Sequence, residues 1–125
     1  MPQPERLAKK DLSNVNLSGT DLHGADLHET QLRHATIRDT DMEDCDLTQA
    51  DLTQADLLRS SLRNATAAHA NLEGADLRGT DLTGANLRGA RLSGANLDQG
   101  QRSAAAAAGA DLGDAVSDAA GSRND

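Results

Sequence analysis

The chain has 125 residues and a formal net charge of −8, with no Phe, Tyr or Trp and only 37% hydrophobic residues. This length sets an upper limit of one domain. The lack of a basic stripe and of aromatic side chains disfavours direct nucleic-acid binding, and no apolar run approaches the roughly eighteen residues that a membrane helix needs.

The first ten residues, MPQPERLAKK, are predicted to cap the N-terminal end of the fold. Leu7 stands five residues before Leu12, in phase with a repeat that follows. The segment PERLAKK can therefore lay Leu7 over the first part of that repeat as a short helical cap. Because the segment lacks the apolar stretch of a secretory signal, we expect a cytoplasmic protein.

Apolar residues recur at every fifth position from Leu12 to Leu97. Fifteen of these eighteen positions hold Leu, and the others are Ile37, Met42 and Ala67. From Leu17 onward a small residue stands two positions before each of them, and the residue between is polar, usually Asp or Asn. A step of five turns a helical side chain by about 140° and alternates faces on a straight strand, so neither element buries the series on one side. A turn after every three-residue extended piece does, and this predicts a coil around a core of Leu and Ala.

Hydroxyl residues at the small inward position predict how many sides the coil has. Thr20, Thr40, Ser60 and Thr80 are twenty residues apart, and Thr30 is the one exception. Twenty residues contain four units, so a square coil is predicted. About four and a half turns, stacked at the strand spacing of about 4.8 Å, give a rod roughly 20 Å long.

The segments DLTQADLTQADL and ANLEGADLRGTDLTGANLRGARLSGANL resemble the A-(D/N)-L-x-x pattern of the pentapeptide repeat family. The resemblance covers residues 11–99. It implies an all-β solenoid, a right-handed quadrilateral β-helix, in which the central residue and the small residue point inward. Residues 1–10 are then an N-terminal cap, and residues 100–125 form an Ala-rich C-terminal cap with a disordered tail.

The sequence after Leu97 allows two interpretations. In the first, Ser103 caps a helix that runs through Ala108 and ends at Gly109, and Asp111 caps a second helix. One face of that second helix would carry Leu112, Ala115, Val116 and Ala119. In the second interpretation, the ADL at 110–112 returns in phase as a degenerate repeat unit.

Few side chains in the sequence are candidates for metal binding or catalysis. The four histidines, His23, His28, His34 and His69, point outward on several faces in this fold, so no metal site is predicted. Cys45 occupies an inward small position and is expected to be a buried structural thiol. The aspartates of the repeat are expected to hydrogen-bond the coil itself. With no catalytic constellation and no cofactor site, the sequence predicts a protein that is not an enzyme.

Negative charge is the remaining functional signal. Residues 11–100 contain fifteen acids and seven arginines. In the square arrangement, six of the eight net negative charges lie on two adjacent faces. The predicted interaction patch consists of Asp21, Asp39, Asp41, Glu43, Asp44 and Asp46. We therefore predict a monomeric scaffold that presents this patch to a protein partner, although an acidic surface also keeps a rod soluble without any partner.

The resemblance supplies an alternative function. Members of the family that protect DNA gyrase from quinolones or peptide toxins resemble duplex DNA in shape and charge. Duplex DNA carries one charge per about 1.7 Å, so a length of about 20 Å has roughly twelve phosphates against this rod's eight net charges. Those relatives also typically have Phe at central positions and a hydrophobic C-terminal dimer element, and this chain has neither. Gyrase is thus the alternative partner.

Overall fold

The computed structural model describes residues 7–113 and 116–117. Apart from one helix near the C-terminal end, these form the right-handed quadrilateral β-helix that the family resemblance implies. Parallel bridges join residues twenty apart, from the pair Asp11 and Gln31 to the pair Arg91 and Asp111. Each side of the square is a short extended piece, and a turn follows it. The prediction of four units per coil is confirmed.

The core is a column of the predicted inward residues. From Leu22 to Leu97 every central residue is at most 6% exposed, and Ala67 is 1% exposed. Leu7, Leu12 and Leu17 are only partly buried, since they belong to the first turn of the stack.

The coil has four faces, which we name by their central residues. Face 1 is centred on Leu12, Leu32, Leu52, Leu72 and Leu92; face 2 on Leu17, Ile37, Leu57, Leu77 and Leu97; face 3 on Leu22, Met42, Leu62 and Leu82; face 4 on Leu27, Leu47, Ala67 and Leu87.

The aspartate of the repeat completes the hydrogen bonding of its own unit. In the unit 46–50, the N–H groups of the first, second and fourth residues donate to carbonyls of neighbouring coils at 2.9, 2.6 and 3.0 Å. The N–H of the fifth residue closes the turn on Leu47 O at 2.9 Å. The remaining N–H, that of Thr48, donates to Asp46 Oδ1 at 2.9 Å. The prediction that these aspartates hydrogen-bond the backbone of the coil is confirmed. The bond joins the aspartate to the N–H two residues later in its own unit, and it does not connect to the next coil.

Every turn places one residue in the left-handed region of the backbone. The eighteen positions at intervals of five from Lys9 to Gly94 all have φ between 53° and 74°. Seven of them are glycine, which adopts this conformation without steric cost. The other eleven carry side chains that are strained in this conformation. The strain is smaller for Asn and Asp than for the other residue types.

The buried hydroxyls of the predicted column are satisfied by the backbone. Thr40, Ser60 and Thr80 are at most 3% exposed, and each donates to the carbonyl of a central residue 23 positions earlier, at 3.1, 2.5 and 2.6 Å respectively. Thr20 belongs to the same column but is exposed, because it lies in the first coil. A polar atom in the core therefore always has a carbonyl to bind along this column.

At the C-terminal end a helix replaces two repeat units. Strand β1, Asn96–Leu97, leads into helix α1, Gln99–Ala107, and strand β2, Val116–Ser117, follows. Asp98 caps the helix, because its side chain accepts from Gln101 N at 2.8 Å and the Gln101 side chain accepts from Asp98 N at 2.9 Å. Gln101 is 6% exposed, and its Nε2 donates to the carbonyls of Leu77 and Thr80. The helix thus closes the last coil.

The prediction for this end was right in part. A helix exists and Gly109 follows its C-cap with φ 95°, but Ser103 lies inside the helix and Asp98 is the N-cap. The second helix is wrong. Asp111 pairs with Arg91, and β2 pairs in parallel with β1, so the in-phase interpretation of 110–112 is confirmed.

At the other end, Leu7–Lys10 forms a repeat turn rather than a helix, closed by Lys10 N on Leu7 O at 3.2 Å. The rest of the predicted N-terminal cap and the last few residues, for which disorder was predicted, lie outside the described residues.

Candidate interaction surface

The predicted acidic residues come together around faces 3 and 4 of two neighbouring coils. Asp21 and Asp41 form a parallel bridge, so they stand one above the other. Glu43 and Asp44 follow Met42 in the turn, and Asp46 opens the next unit on face 4. Five of the six predicted residues are thus neighbours, and Asp39 lies at the turn that leads into this region.

Two of the six predicted residues are compensated by arginine. Arg59 Nε and NH2 donate to the two oxygens of Asp39 at 2.9 and 3.1 Å, and Arg63 Nε donates to Glu43 Oε2 at 3.2 Å. The hydrogen bonds from Arg59 hold the pKa of Asp39 below its ordinary value. Because both side chains of this pair are more than half exposed, the pair adds little stability, but it removes a negative charge from the surface.

The uncompensated carboxylates define a smaller surface, which we name the acidic corner. Within the described residues, none of its members makes an ion pair with Lys or Arg. Its members are Asp21, Asp26, Asp41, Asp44 and Asp46. Asp26 was missed by the prediction although a signal was present, since it stands twenty residues before Asp46 and the two form a parallel bridge.

Two histidines lie among these carboxylates. His23 Nδ1 is 3.8 Å from Asp41 Oδ2 and 3.7 Å from Glu43 Oε1, and its Nε2 is 3.5 Å from Asp44 Oδ2. His28 Nδ1 is 2.5 Å from Asp26 Oδ1, a hydrogen bond that lowers the pKa of Asp26.

The structure therefore groups carboxylates around histidines that the sequence treated as isolated. Among the residues that the structure describes, two sets have possible ligand atoms within 4.8 Å of one another: His23 with Asp41 and Glu43, and His28 with Asp26 and Asp46. Each set contains a single histidine, and His34 and His69 are exposed outside both sets. The sequence signal for these sets is the period of twenty, which stacks residue 23 on residue 43.

The only cysteine in the sequence is buried, and its thiol is expected to be unreactive. Cys45 is 1% exposed, as predicted for an inward small residue. Its burial, reinforced by the charge of Asp46, raises the pKa of the thiol to about 12. The thiolate, which is the nucleophile and metal ligand, is therefore scarce at neutral pH.

Comparison with known proteins identifies the repeat. The family model of pentapeptide repeats matches eight copies, over residues 11–49, 45–84 and 60–99. No curated protein matches the sequence significantly. Of the described residues, no helix is both long and apolar enough to cross a lipid bilayer.

Several solved structures resemble this fold. HetL, a pentapeptide repeat protein involved in heterocyst differentiation regulation in Nostoc sp. strain PCC 7120, is 38% identical over 71% of this chain, with a TM-score of 0.54. This match spans only 40% of HetL. A pentapeptide repeat protein of the Arabidopsis thaliana thylakoid lumen is 33% identical, covering 78% of this chain and 71% of its own, with a TM-score of 0.48.

A trypsin-treated form of QnrB1, a plasmid-mediated fluoroquinolone resistance protein, is 22% identical, covering 78% of this chain and 67% of its own, with a TM-score of 0.52. At this identity the match establishes a shared fold only. The matched repeats cover well over half of the sequence, and the chain therefore belongs to the pentapeptide repeat family.

Proposed function

We propose that this protein is a rigid, non-enzymatic scaffold whose acidic corner binds a basic segment of a protein partner. The observation that carries the proposal is the set of five carboxylates without a Lys or Arg partner in the described residues, all on two coils. Elsewhere on the rod, arginines reach acids 18 or 20 residues away along the chain, as Arg38 does with Asp56 at 2.6 Å. Five acids without such a partner are thus grouped at one place, whereas Asp11 and Asp111, which also lack one among the described residues, stand apart from this group on face 1.

The backbone beneath the corner supports a binding role, because it fixes where the charges lie. Asp21, Asp26, Asp41 and Asp46 each accept a hydrogen bond from the N–H two residues later, at 2.9 to 3.2 Å. Each of those bonds holds Oδ1 of its carboxylate against the backbone and so fixes the direction of Oδ2, which in Asp41 lies 3.8 Å from His23 Nδ1. A preorganised charged surface steers association and selects partners of opposite charge.

The test uses substitutions that remove charge without removing the local hydrogen bonds. Asp41→Asn keeps an oxygen that accepts from Glu43 N, and Asp44→Asn places Asn at φ 64°, which Asn tolerates. The matched control is Asp11→Asn with Asp111→Asn, since both acids are exposed and accept from the N–H two residues later. Each double variant removes two charges, but only the first removes them from the corner.

The measurement is quantitative capture of proteins from the native host, with EDTA present, at low and high salt. The amount of a true partner that is captured should be about tenfold lower with the Asp41→Asn, Asp44→Asn variant than with the wild type, since each exposed ion pair contributes roughly 0.5 to 1 kcal/mol to binding. The partner should be retained on the control variant and released by salt. Equal recovery on both variants would refute the acidic corner as the binding surface.

Gyrase binding by DNA mimicry is the second candidate, and one observation favours it. The corner places five carboxylates on two coils, about 10 Å of rod, and duplex DNA has about six phosphates in that length. Beyond the second coil the arginine pairs interrupt this density. The assay is DNA supercoiling by gyrase with added protein, with and without a quinolone. Absence of both inhibition and protection at micromolar protein would rule this candidate out.

A further inference from the structure

We infer that His23, Asp41 and Glu43, with Asp44 beside them, form a surface site for a divalent first-row transition-metal ion such as Zn²⁺. The inference does not rest on the proposed function. It begins with register, because His23 and Glu43 occupy the same position of face 3 in successive coils, and the turn after Met42 brings Asp44 to the other side of the ring. The three nearest carboxylate oxygens lie 3.5 to 3.8 Å from the ring nitrogens.

Two of the carboxylates have one oxygen held elsewhere and the other directed to the histidine. Asp41 Oδ1 accepts from Glu43 N at 2.9 Å, so Oδ2 is the oxygen near the ring. Glu43 Oε2 accepts from Arg63 at 3.2 Å, so Oε1 is the oxygen near the ring. Such outer hydrogen bonds are how metal sites orient their ligands.

The spacing suits coordination after a small adjustment. A metal with bonds of about 2.0 to 2.1 Å to nitrogen and oxygen holds its ligand atoms roughly 3.0 to 3.4 Å apart. Nδ1 of His23 is 3.8 Å from Asp41 Oδ2 and 3.7 Å from Glu43 Oε1. These two nitrogen–oxygen distances need to shorten by a few tenths of an ångström, and the three ligand atoms all lie within 4.8 Å of one another. His23 and Asp41 are about half exposed and Glu43 a third exposed, so their side chains have room to move.

The donor set selects the class of ion. An imidazole nitrogen, here Nδ1, with the two carboxylates of Asp41 and Glu43 favours borderline ions such as Zn²⁺, whereas Mg²⁺ and Ca²⁺ prefer oxygen alone. Asp44 faces Nε2 on the other side of the ring, so it adds negative charge near the ion without binding it. No thiolate is available, since Cys45 points into the core. Water from the solvent can complete the coordination, because His23 and Asp41 are about half exposed. A divalent cation would also offset the repulsion among three carboxylates.

The neighbouring set around His28 is not the site we infer. His28 Nδ1 is already hydrogen-bonded to Asp26 Oδ1 at 2.5 Å, whereas no ring nitrogen of His23 lies closer than 3.5 Å to its carboxylates. A metal would have to break the bond between His28 and Asp26. His28 therefore serves as a control in the test, together with the exposed His69.

The test is calorimetric titration of Zn²⁺ into the metal-stripped, full-length protein without a histidine tag. We expect one ion per chain, and at least tenfold weaker binding in His23→Ala and in the pair Asp41→Asn with Glu43→Gln. His28→Ala and His69→Ala should bind as the wild type does. No saturable binding by the wild type, or equal binding by His23→Ala, would overturn the inference.

A second measurement does not depend on any variant folding. In the wild type, Mn²⁺ should broaden amide resonances selectively around residues 21–24 and 41–44, since a paramagnetic ion relaxes nuclei near its site. Broadening centred on residues 26–28, or spread evenly over the acids of the rod, would contradict the assignment to His23.

Discussion

The left-handed turn positions lead to the most direct prediction about stability. Gln49 has φ 60°, is exposed, and makes no side-chain hydrogen bond or ion pair with any residue that the structure describes, so no polar interaction offsets its strain. The left-handed conformation costs an L-residue roughly 1 to 2 kcal/mol of steric strain. Glycine has no such strain, but ordering its more flexible backbone costs about 0.5 to 1 kcal/mol. Gln49→Gly should therefore stabilise the fold by about 0.5 to 1 kcal/mol.

The assay is thermal unfolding followed by circular dichroism. For a domain of this size the gain corresponds to a rise in Tm of roughly 2 to 6 °C. The matched control is Thr48→Gly, one residue earlier, where φ is not positive and glycine relieves no strain. Thr48 is partly buried, so this variant should lose stability through both chain entropy and side-chain packing. Asn64→Gly should give a smaller gain than Gln49→Gly, since Asn tolerates the left-handed region better.

The reciprocal substitution tests the same reasoning from the other side. A Cβ on Gly19 would meet no heavy atom within 4 Å, so Gly19→Ala changes only the backbone preference at φ 74°. It should destabilise by about 1 kcal/mol. If Gln49→Gly lowers Tm by as much as Thr48→Gly does, chain entropy rather than turn strain decides these positions, and the reasoning fails.

Three further predictions concern the core, the repeat aspartates and pH. Ala67→Leu should raise stability by up to ~1–2 kcal/mol if the space between Leu47 and Leu87 is open, and a lower Tm would show that the coil has already closed there. Asp46→Ala should cost about 1 kcal/mol in urea unfolding, since Thr48 N loses its acceptor, while Asp46→Asn should cost much less. Asp39, Asp76 and Asp81 have lowered pKa values, chiefly from hydrogen bonds donated by Arg59, Arg78 and Thr83. Their stabilisation is present above the unfolded pKa of about 4 and is lost as pH falls through the lower folded values, so Tm should fall below about pH 4, and a Tm that stays level there would contradict this.

The repeat predicted the core well because one rule fixes it. Each central residue must be apolar and each residue two before it small, so phase alone identifies what is buried, from Leu22 to Leu97. The same phase predicted that the aspartates serve the backbone. Local hydrogen bonds of this kind depend on residue type and spacing, which the sequence displays directly.

The C-terminal end could have been predicted better. Asp98 and Gln101 stand three residues apart, the spacing of a capping box, and the alanines that follow favour a helix. The return of the chain at Asp111, twenty residues after Arg91, is also visible in the sequence. What the sequence does not display is that a helix can replace two units without loss of register.

The distribution of charge was harder to predict because it depends on side-chain reach. Summing charges by face treats every acid alike, yet Arg59 neutralises Asp39 twenty residues back, and Arg63 lies between Glu43 and Asp81. Which of the stacked acids an arginine meets is decided by rotamers and by its neighbours. The acidic corner therefore emerges only when these pairs are assigned.

The left-handed positions also divide the rod in two. From Gly74 to Gly94 all five turn positions are glycine, whereas the nine positions from Glu29 to His69 contain none. At each of those nine positions a side chain occupies a conformation that glycine adopts without steric cost. Backbone strain of this kind tends to cluster at functional sites. Three of the five corner carboxylates lie in the half of the rod that has side chains at its turns, but only Asp44 is itself at a left-handed position, where Asp is tolerated better than most residues. The turns of this half therefore display side chains next to the corner, and the corner itself requires little backbone strain.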